Sequence, residues 1–326
     1  MFEREPAGQT LARRRSPETA GSARRSRTAR TGSVRMSFRA GAVTARAFAR
    51  TAAVQPGSPA VLTCAVSGGL VTGNPNQPVT REEVIAQAVG AVRAGASVVH
   101  IHARNSGGEM TQAPDDYGAI AQAVREQVDD VVLNFTTGGQ LGAPAVESRR
   151  SLEAQPELAT VTCGSMNFGP GGDLLVSPPS LVSELLEEMA RREIVPEYEC
   201  FDVGMALTAS QLAAGGAPGM MHMLLGVVGG APASAMMISL FSELAPNGVP
   251  WAVTAIPRHF PMMAVTLALG GHIRTGLEDV VYVAPGEYAE SNAQLVTRAR
   301  ALCEAIGRPV ATPAQAREII GVRATR

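Results

Sequence analysis

The chain has 326 residues, 45% hydrophobic and 17% charged. Its 28 basic residues are all arginine, and 29 acidic residues bring the formal net charge to -1. With no lysine, a Schiff-base aldolase, an ordinary pyridoxal-phosphate enzyme and a standard P-loop are excluded, because each needs a lysine amine.

The charge is unevenly spread. Residues 1–50 hold 12 Arg and 3 acidic residues, and residues 51–326 hold 16 Arg and 26 acidic residues. The bulk of the chain is therefore acidic and offers nucleic acid no basic footprint. Segment 1–56 is rich in Arg, Ala and Ser and lacks the apolar core of a secretory signal. It reads as a disordered extension or a start codon assigned too early, with Met36 as a later start. An organelle transit segment is the alternative. Residues 57–326 are expected to form a single catalytic domain. The cysteines Cys64, Cys163, Cys200 and Cys303 have no metal-knuckle or CxxC spacing, which fits a reduced, cytoplasmic protein. No apolar run is long enough for a membrane span.

From residue 57 onward, apolar runs alternate with helical patterns. Val61–Val66 is the first strand, closed by Ser67-Gly68-Gly69. Thr80 caps a helix with Glu83 at the capping-box position, and Gly95 ends it. Ser97–His102 is the second strand. A helix from Asp115 or Asp116 to about Val128 precedes the third strand, Val131–Phe135. A short helix over Glu147–Ala154 leads to the fourth, Leu158–Cys163. Pro179 opens a helix to Arg192, and Tyr198–Phe201 is the fifth strand. Ala206–Ala214 is helical and Met221–Val227 is the sixth strand. Ala233–Leu244 is helical and Trp251–Ile256 is the seventh strand. Met262–Leu269 is helical and His272–Arg274 is a short eighth strand. Helices over Ser291–Ile306 and Thr312–Ile320 end the pattern.

Eight such units in roughly 265 residues match a closed (β/α)8 TIM barrel, with a doubly wound sheet as the other α/β arrangement. In a barrel, polar residues at the C-terminal strand ends converge on one face. Here they are His100, His102 and Arg104 after strand two, and Thr136 and Thr137 after three. Ser165 and Asn167 follow strand four, Asp202 five, Arg258 and His259 seven, and Arg274, Glu278 and Asp279 eight.

His100 and His102 are two apart, so on a strand both point to one face and can reach one metal ion, zinc by default for nitrogen ligands. Alternatively, one is a core histidine and the other a surface residue. Glu278 or Asp279 is the natural third ligand, because strand eight closes beside strand one. Two histidines and one carboxylate leave room for substrate. The other carboxylate, paired with Arg274, would be charged, oriented and able to act as a general base. Gly68-Gly69 and Gly138-Gly139 either cradle an anion on backbone amides or form tight turns. A metal beside a base points to carbonyl activation in a C–C lyase or transferase, with metal-dependent hydrolysis as the competing reaction.

Residues 60–320 resemble the β-keto acid cleavage enzyme family, first characterised as 3-keto-5-aminohexanoate cleavage enzyme. The resemblance is carried by His100-Ile101-His102-Ala103-Arg104, Asn134-Phe135-Thr136-Thr137-Gly138-Gly139 and Gly164-Ser165-Met166-Asn167-Phe168-Gly169. It continues in Phe201-Asp202-Val203-Gly204-Met205, in Gly270 to Asp279 and in Glu290 to Val296. It implies a zinc-dependent barrel, usually a homotetramer, that condenses a β-keto acid with acetyl-CoA and releases acetoacetate and a new acyl-CoA. On this chain the resemblance assigns His100, His102 and Glu278 to the metal, and Asp279 with Arg274 to acid–base work. Thr136 and Ser165 fall at substrate-contacting hydroxyl positions, and Asp202 near the substrate's variable end. The aminohexanoate enzyme has a Glu where Leu70 stands here, which favours a neutral tail over a free amine. A hydrolase on the same barrel, or a barrel that only binds a metal or metabolite, are the other readings.

Overall fold

In the computed structural model the apolar runs become β1 (Leu62–Ala65), β2 (Val98–Ile101), β3 (Val132–Phe135), β4 (Leu158–Thr162), then, past an inserted pair, β7 (Val195–Cys200), β8 (Met220–Leu225), β9 (Trp251–Ala255) and β10 (His272–Thr275). The inserted pair is the hairpin β5 (Met166–Phe168) and β6 (Asp173–Leu175), and a second hairpin, β11 (Tyr282–Ala284) and β12 (Glu287–Tyr288), follows β10. The helices are α1 (Arg81–Ala94), α2 (Pro114–Arg125), α3 (Pro179–Arg191), α4 (Val203–Ala214), α5 (Ala235–Leu244), α6 (His259–Ala268), α7 (Asn292–Ile306) and α8 (Pro313–Ile320). Residues 57–70, 72–138, 147–169, 171 and 173–322 are described. Segment 1–56 and Gly139, both singled out above, lie outside them.

Eight strands pair in parallel as a closed barrel in the order β1-β10-β9-β8-β7-β4-β3-β2. This is the (β/α)8 TIM barrel expected from the alternation, and the doubly wound sheet is excluded by closure. Both hairpins were missed in the sequence. Each is too short and too exposed to show an alternating apolar pattern, with Leu174, Tyr282 and Tyr288 open to solvent. The segment Glu147–Ala154 is a 3₁₀ helix rather than an α-helix.

Local signals fix the outer ring. Thr80 caps α1 by accepting from the Glu83 amide, and Glu83 answers with a bond to the Thr80 amide. Such a cap contributes about 1 kcal/mol. Gly95, at φ 118°, ends the helix in the left-handed conformation. Val84, Ala88 and Ala91 of α1 then lie against the sheet, in the same core as Val99, Ile101 and Val296.

Inside the barrel, side chains stack in levels set by the two-residue period of a strand. The lowest level is apolar. Val61, Val98, Val132, Leu158, Met220 and Ala252 pack on Ala316 and Ile320 of α8, which closes the N-terminal end. Two residues further along each strand the inward positions are Thr63, His100, Asn134, Thr160, Glu197, His222, Thr254 and Arg274. All are buried and all are polar. Two further along stand His102, Thr136, Thr162, Glu199, Leu224 and Ile256, which line an open cavity. The fold thus carries a wholly polar layer between an apolar floor and a mouth at the C-terminal strand ends.

Candidate active site

His100 and His102 project from one face of β2 with ring centroids 5.2 Å apart. Glu278, in the loop after β10, brings Oε1 to 3.8 Å from His100 Nε2 and 3.5 Å from His102 Nε2. One ligand atom from each residue falls within 4.8 Å of the others, so the three form a cluster that could hold a metal ion. Nδ1 of both histidines and Oε2 of Glu278 are buried with no hydrogen-bond partner. Burial pushes the His100 imidazole down to about 3, with Arg274 and His102 adding to the effect and Glu278 opposing it. A neutral ring keeps the lone pair a metal needs. Burial alone would raise the Glu278 carboxyl, but Arg274, His102 and His100 together hold it well below the usual range.

The loop after β1 lies directly on this cluster. Gly68 has φ +69°, and a Cβ placed there would stand 2.6 Å from Glu278 Cγ. The Gly68-Gly69 pair is therefore a tight turn that lets the backbone reach the carboxylate side chain. Ser67 Oγ donates to the His102 carbonyl at 3.2 Å, and Gln77 Nε2 donates to the carbonyls of Ser67 and Leu70. On the other side, Asn292 at the start of α7 accepts from the Leu277 amide at 2.9 Å and donates to the Val66 carbonyl at 3.0 Å. It clasps the loops of β1 and β10, the strands between which Glu278 emerges.

Arg274 is 1% exposed and faces three carboxylates. Its Nε and Nη2 donate to Asp279 Oδ2 and Oδ1 at 2.8 and 3.1 Å, and Nη2 also reaches Glu278 Oε1 at 2.5 Å. Its Nη1 lies 3.5 Å from Glu199 Oε1. Burial raises the Asp279 carboxyl above its ordinary value, with Arg274 opposing and Glu278 adding. Burial pushes Glu199 up to about 8, against the pull of Arg274. In the same layer as Arg274, Glu197 accepts from Asn134 and lies 3.2 Å from His222 Nδ1, while His222 Nε2 meets Thr254 Oγ1 at 2.9 Å. His259 and His272 bond Thr275 Oγ1 and the Val61 amide, away from the cluster.

The cavity above the cluster has a volume of about 800 Å³. Its polar wall carries His102, Arg104, Thr136, Glu199, Glu278 and Asp279. Its apolar lining includes Phe168, Leu175, Phe201, Leu224, Val228 and Ile256. Leu70 and Thr136 both line it. Ser165 and Asp202 do not. Ser165 Oγ accepts from the Ser177 amide at 2.8 Å, fastening the β5–β6 hairpin. Asp202 caps α4 by accepting from the Met205 amide at 2.8 Å, where the free amides of a helix start attract a carboxylate. The lining residue overlooked in the sequence is Glu199. Strand five was expected to begin at Tyr198, whereas it begins at Val195. Extending the alternation back from Glu199 would have shown Glu197 and Glu199 on one inward face.

The match to known proteins covers this same region. The model of the beta-keto acid cleavage enzyme family matches residues 59–322. The 3-keto-5-aminohexanoate cleavage enzyme of Fusobacterium nucleatum is 36% identical over 269 residues, 81% of this chain and 98% of that protein. The 3-oxoadipate:acetyl-CoA acetyltransferase of Cupriavidus necator is 35% identical over 274 residues, 81% of this chain and 95% of that protein. The apo structure of ObcA shares the fold, with a TM-score of 0.64 at 22% identity over 76% of this chain and 66% of that one. This chain belongs to the beta-keto acid cleavage enzyme family.

Proposed function

We propose that the chain is a zinc-dependent β-keto acid cleavage enzyme. It would condense a β-keto acid, R–CO–CH2–COO⁻, with acetyl-CoA to give acetoacetate and R–CO–SCoA. The observation that carries this reading is the buried Arg274–Asp279 pair beside the His100, His102 and Glu278 cluster. The donor set of two imidazoles and one carboxylate suits zinc and leaves coordination positions open for substrate. The unpartnered, buried Glu278 Oε2 and histidine Nδ1 atoms mark a site whose polar groups are not consumed by the fold. When bound, zinc would act as a Lewis acid on the acid's carboxylate and keto oxygens.

The residues of the chain supply the rest. Asp279, raised by burial and oriented by two bonds from Arg274, takes a proton from C2 of the acid. The carbon nucleophile attacks the acetyl carbonyl of acetyl-CoA and expels the CoA thiolate. The thiolate attacks the original keto carbon, the C2–C3 bond breaks, and the proton returns to C2. No electrons are gained or lost, so no redox partner is needed. Arg274 carries the charge that Asp279, Glu278 and Glu199 share through the cycle. Thr136 would place the acid at the cavity wall, and Leu70 removes a carboxylate that an amine-bearing tail would need. The free thiols of Cys64, Cys163, Cys200 and Cys303 agree with a cytoplasmic setting, and the family resemblance supports a homotetramer.

The test is a screen of β-keto acids with acetyl-CoA on purified protein of measured metal content. Acetoacetate plus a new CoA ester, lost on chelation and restored by zinc, is the expected result. Loss of the acid without any need for CoA would instead establish hydrolysis.

A further inference from the structure

Two buried polar atoms on neighbouring strands have no hydrogen-bond partner: ring Nδ1 of His100 and side-chain Oδ1 of Asn134. His100 is 1% exposed and Asn134 is 0%. β2 and β3 pair with His100 opposite Asn134, and both side chains belong to the polar layer. The rest of each side chain is committed. His100 Nε2 faces Glu278 and the metal cluster, which leaves Nδ1, the nitrogen nearer the strand, for the layer itself. Asn134 Nδ2 donates to Glu197 Oε2. The Glu197 carboxyl is lowered to about 2, so it is charged and can only accept. That contact fixes which end of the Asn134 amide is the NH2 and leaves Oδ1 as an acceptor without a donor. Asn134 therefore bonds Glu197 on one side and neighbours His100 on the other, and Glu197 and His100 already feel each other's charge. The other unbonded imidazole nitrogen of the cluster, His102 Nδ1, stands one level higher, where a Cβ on Gly69 would lie 3.4 Å from it.

We propose that Asn134 is a positioning residue of the metal site: its Oδ1 accepts the Nδ1 proton of His100 and so keeps the Nε2 lone pair turned to the metal, with Glu197 anchoring the amide from behind. This rests on the metal reading of the His100, His102 and Glu278 cluster. A neutral imidazole carries one proton, and the hydrogen bond at one nitrogen decides which nitrogen is free to ligate. Histidines that hold a metal almost always donate their other N–H to an oxygen. Neighbouring strands lie about 4.8 Å apart, so a turn of the two side-chain torsions brings this donor and acceptor together. Without the acceptor, the two ring tautomers compete, and part of the protein presents an N–H where a lone pair is needed.

The experiment uses the full-length protein, stripped of metal and reloaded with zinc, as wild type, Asn134→Leu and Asn134→Asp. Leucine has a similar volume and no acceptor, while aspartate keeps the oxygen. Zinc affinity is read by competition with a chromophoric chelator, the His100 tautomer by 15N spectra assigned with His100→Gln, and folding by thermal melts. The zinc-free wild type should carry the His100 proton on Nδ1 alone. Asn134→Leu should give a mixture of tautomers and weaken zinc about ten- to a hundredfold. Asn134→Asp should keep the proton on Nδ1 and recover most of the affinity. A wild-type ring protonated on Nε2, or already mixed, overturns the proposal before any variant is made. Weaker zinc in Asn134→Leu with the proton still on Nδ1 leaves Asn134 a purely structural part of the layer and overturns it, as does a mixed ring with unchanged zinc affinity. If Asn134→Leu does not fold, the wild type and Asn134→Asp decide, since both must keep the proton on Nδ1. If the wild type takes up no zinc, the proposed function loses its metal, and the Asn134 bond stands or falls on the ring spectra alone.

Discussion

Arg274 grips Asp279 by both carboxylate oxygens, Nε to Oδ2 at 2.8 Å and Nη2 to Oδ1 at 3.1 Å, and the pair is buried. Two forces therefore act on one proton. Burial raises the Asp279 carboxyl and the guanidinium restrains the rise. The outcome is a carboxyl more basic than a surface aspartate, which is what a base for a carbon acid requires. Asp279→Asn keeps the size of the side chain and removes the base. It should lower kcat by about 10²–10⁴-fold with zinc content unchanged. Kinetics and metal analysis on one preparation check this. Full activity in the variant would reject the base role.

The contact between Gly68 and Glu278 predicts a different failure. A Cβ at residue 68 would stand 2.6 Å from Glu278 Cγ, and the backbone there has φ +69°. Gly68→Ala should cost about 1–2 kcal/mol for the left-handed conformation and also push the Glu278 side chain off the histidines. Zinc affinity should fall with stability. Denaturant melts and a zinc competition titration separate the two effects. A variant that loses stability but binds zinc as the wild type does would mean that Glu278 is not a ligand.

How much of this was visible in the sequence follows from the periods of the elements. The barrel was legible because eight apolar runs alternate with helices, and because Thr80, Glu83 and Gly95 announce a helix in the residues themselves. His100 and His102 were legible through their spacing on a strand, and Glu278 and Asp279 through their place after the last strand. Glu197 and Glu199 obey the same two-residue period, yet Pro196 and Glu197 disguise the start of β7 as loop. Only closure of the sheet pulls them inward. Gln77 and Asn292 were not legible at all as supports of the site. Gln77 ties together its own long loop through Ser67 and Leu70, and Asn292 joins Val66 to Leu277, and such contacts have no signature in residue pattern. Asp202 shows a structural duty that a family motif does not reveal, since its side chain caps α4 by accepting from the Met205 amide.

The polar layer beneath the site sets the acid limit of the fold. Glu197 is 1% exposed. Burial alone would raise its carboxyl, but His222, Arg274 and His100 bring it down to about 2. A depressed carboxyl stabilises the folded chain above its unfolded value of 4.5, and that contribution is lost as pH falls from there through about 2. The size is about 3 kcal/mol by the linkage relation. Glu197→Gln should therefore be less stable at neutral pH by a similar amount and should lose less on acidification. Urea unfolding of both proteins at pH 7 and pH 3 measures it. The same acid dependence in both would place the acid-labile group elsewhere.

Leu70 lines the cavity, is 55% exposed, and its backbone is pinned by Gln77 donating to its carbonyl at 2.7 Å. A carboxylate placed there keeps its water and stays near the mouth, so Leu70→Glu should fold like the parent. An exposed ion pair contributes about 0.2–1 kcal/mol, so the gain for an amine-bearing β-keto acid should be about two- to fivefold in KM. The same charge repels an anionic tail, so KM for 3-oxoadipate should rise. Opposite movement of the two KM values is the expected signature of a tail that passes beside Leu70. If both values stay where they were, the tail leaves the cavity by the apolar wall of Phe168 and Phe201 instead, and specificity must then be sought on that side.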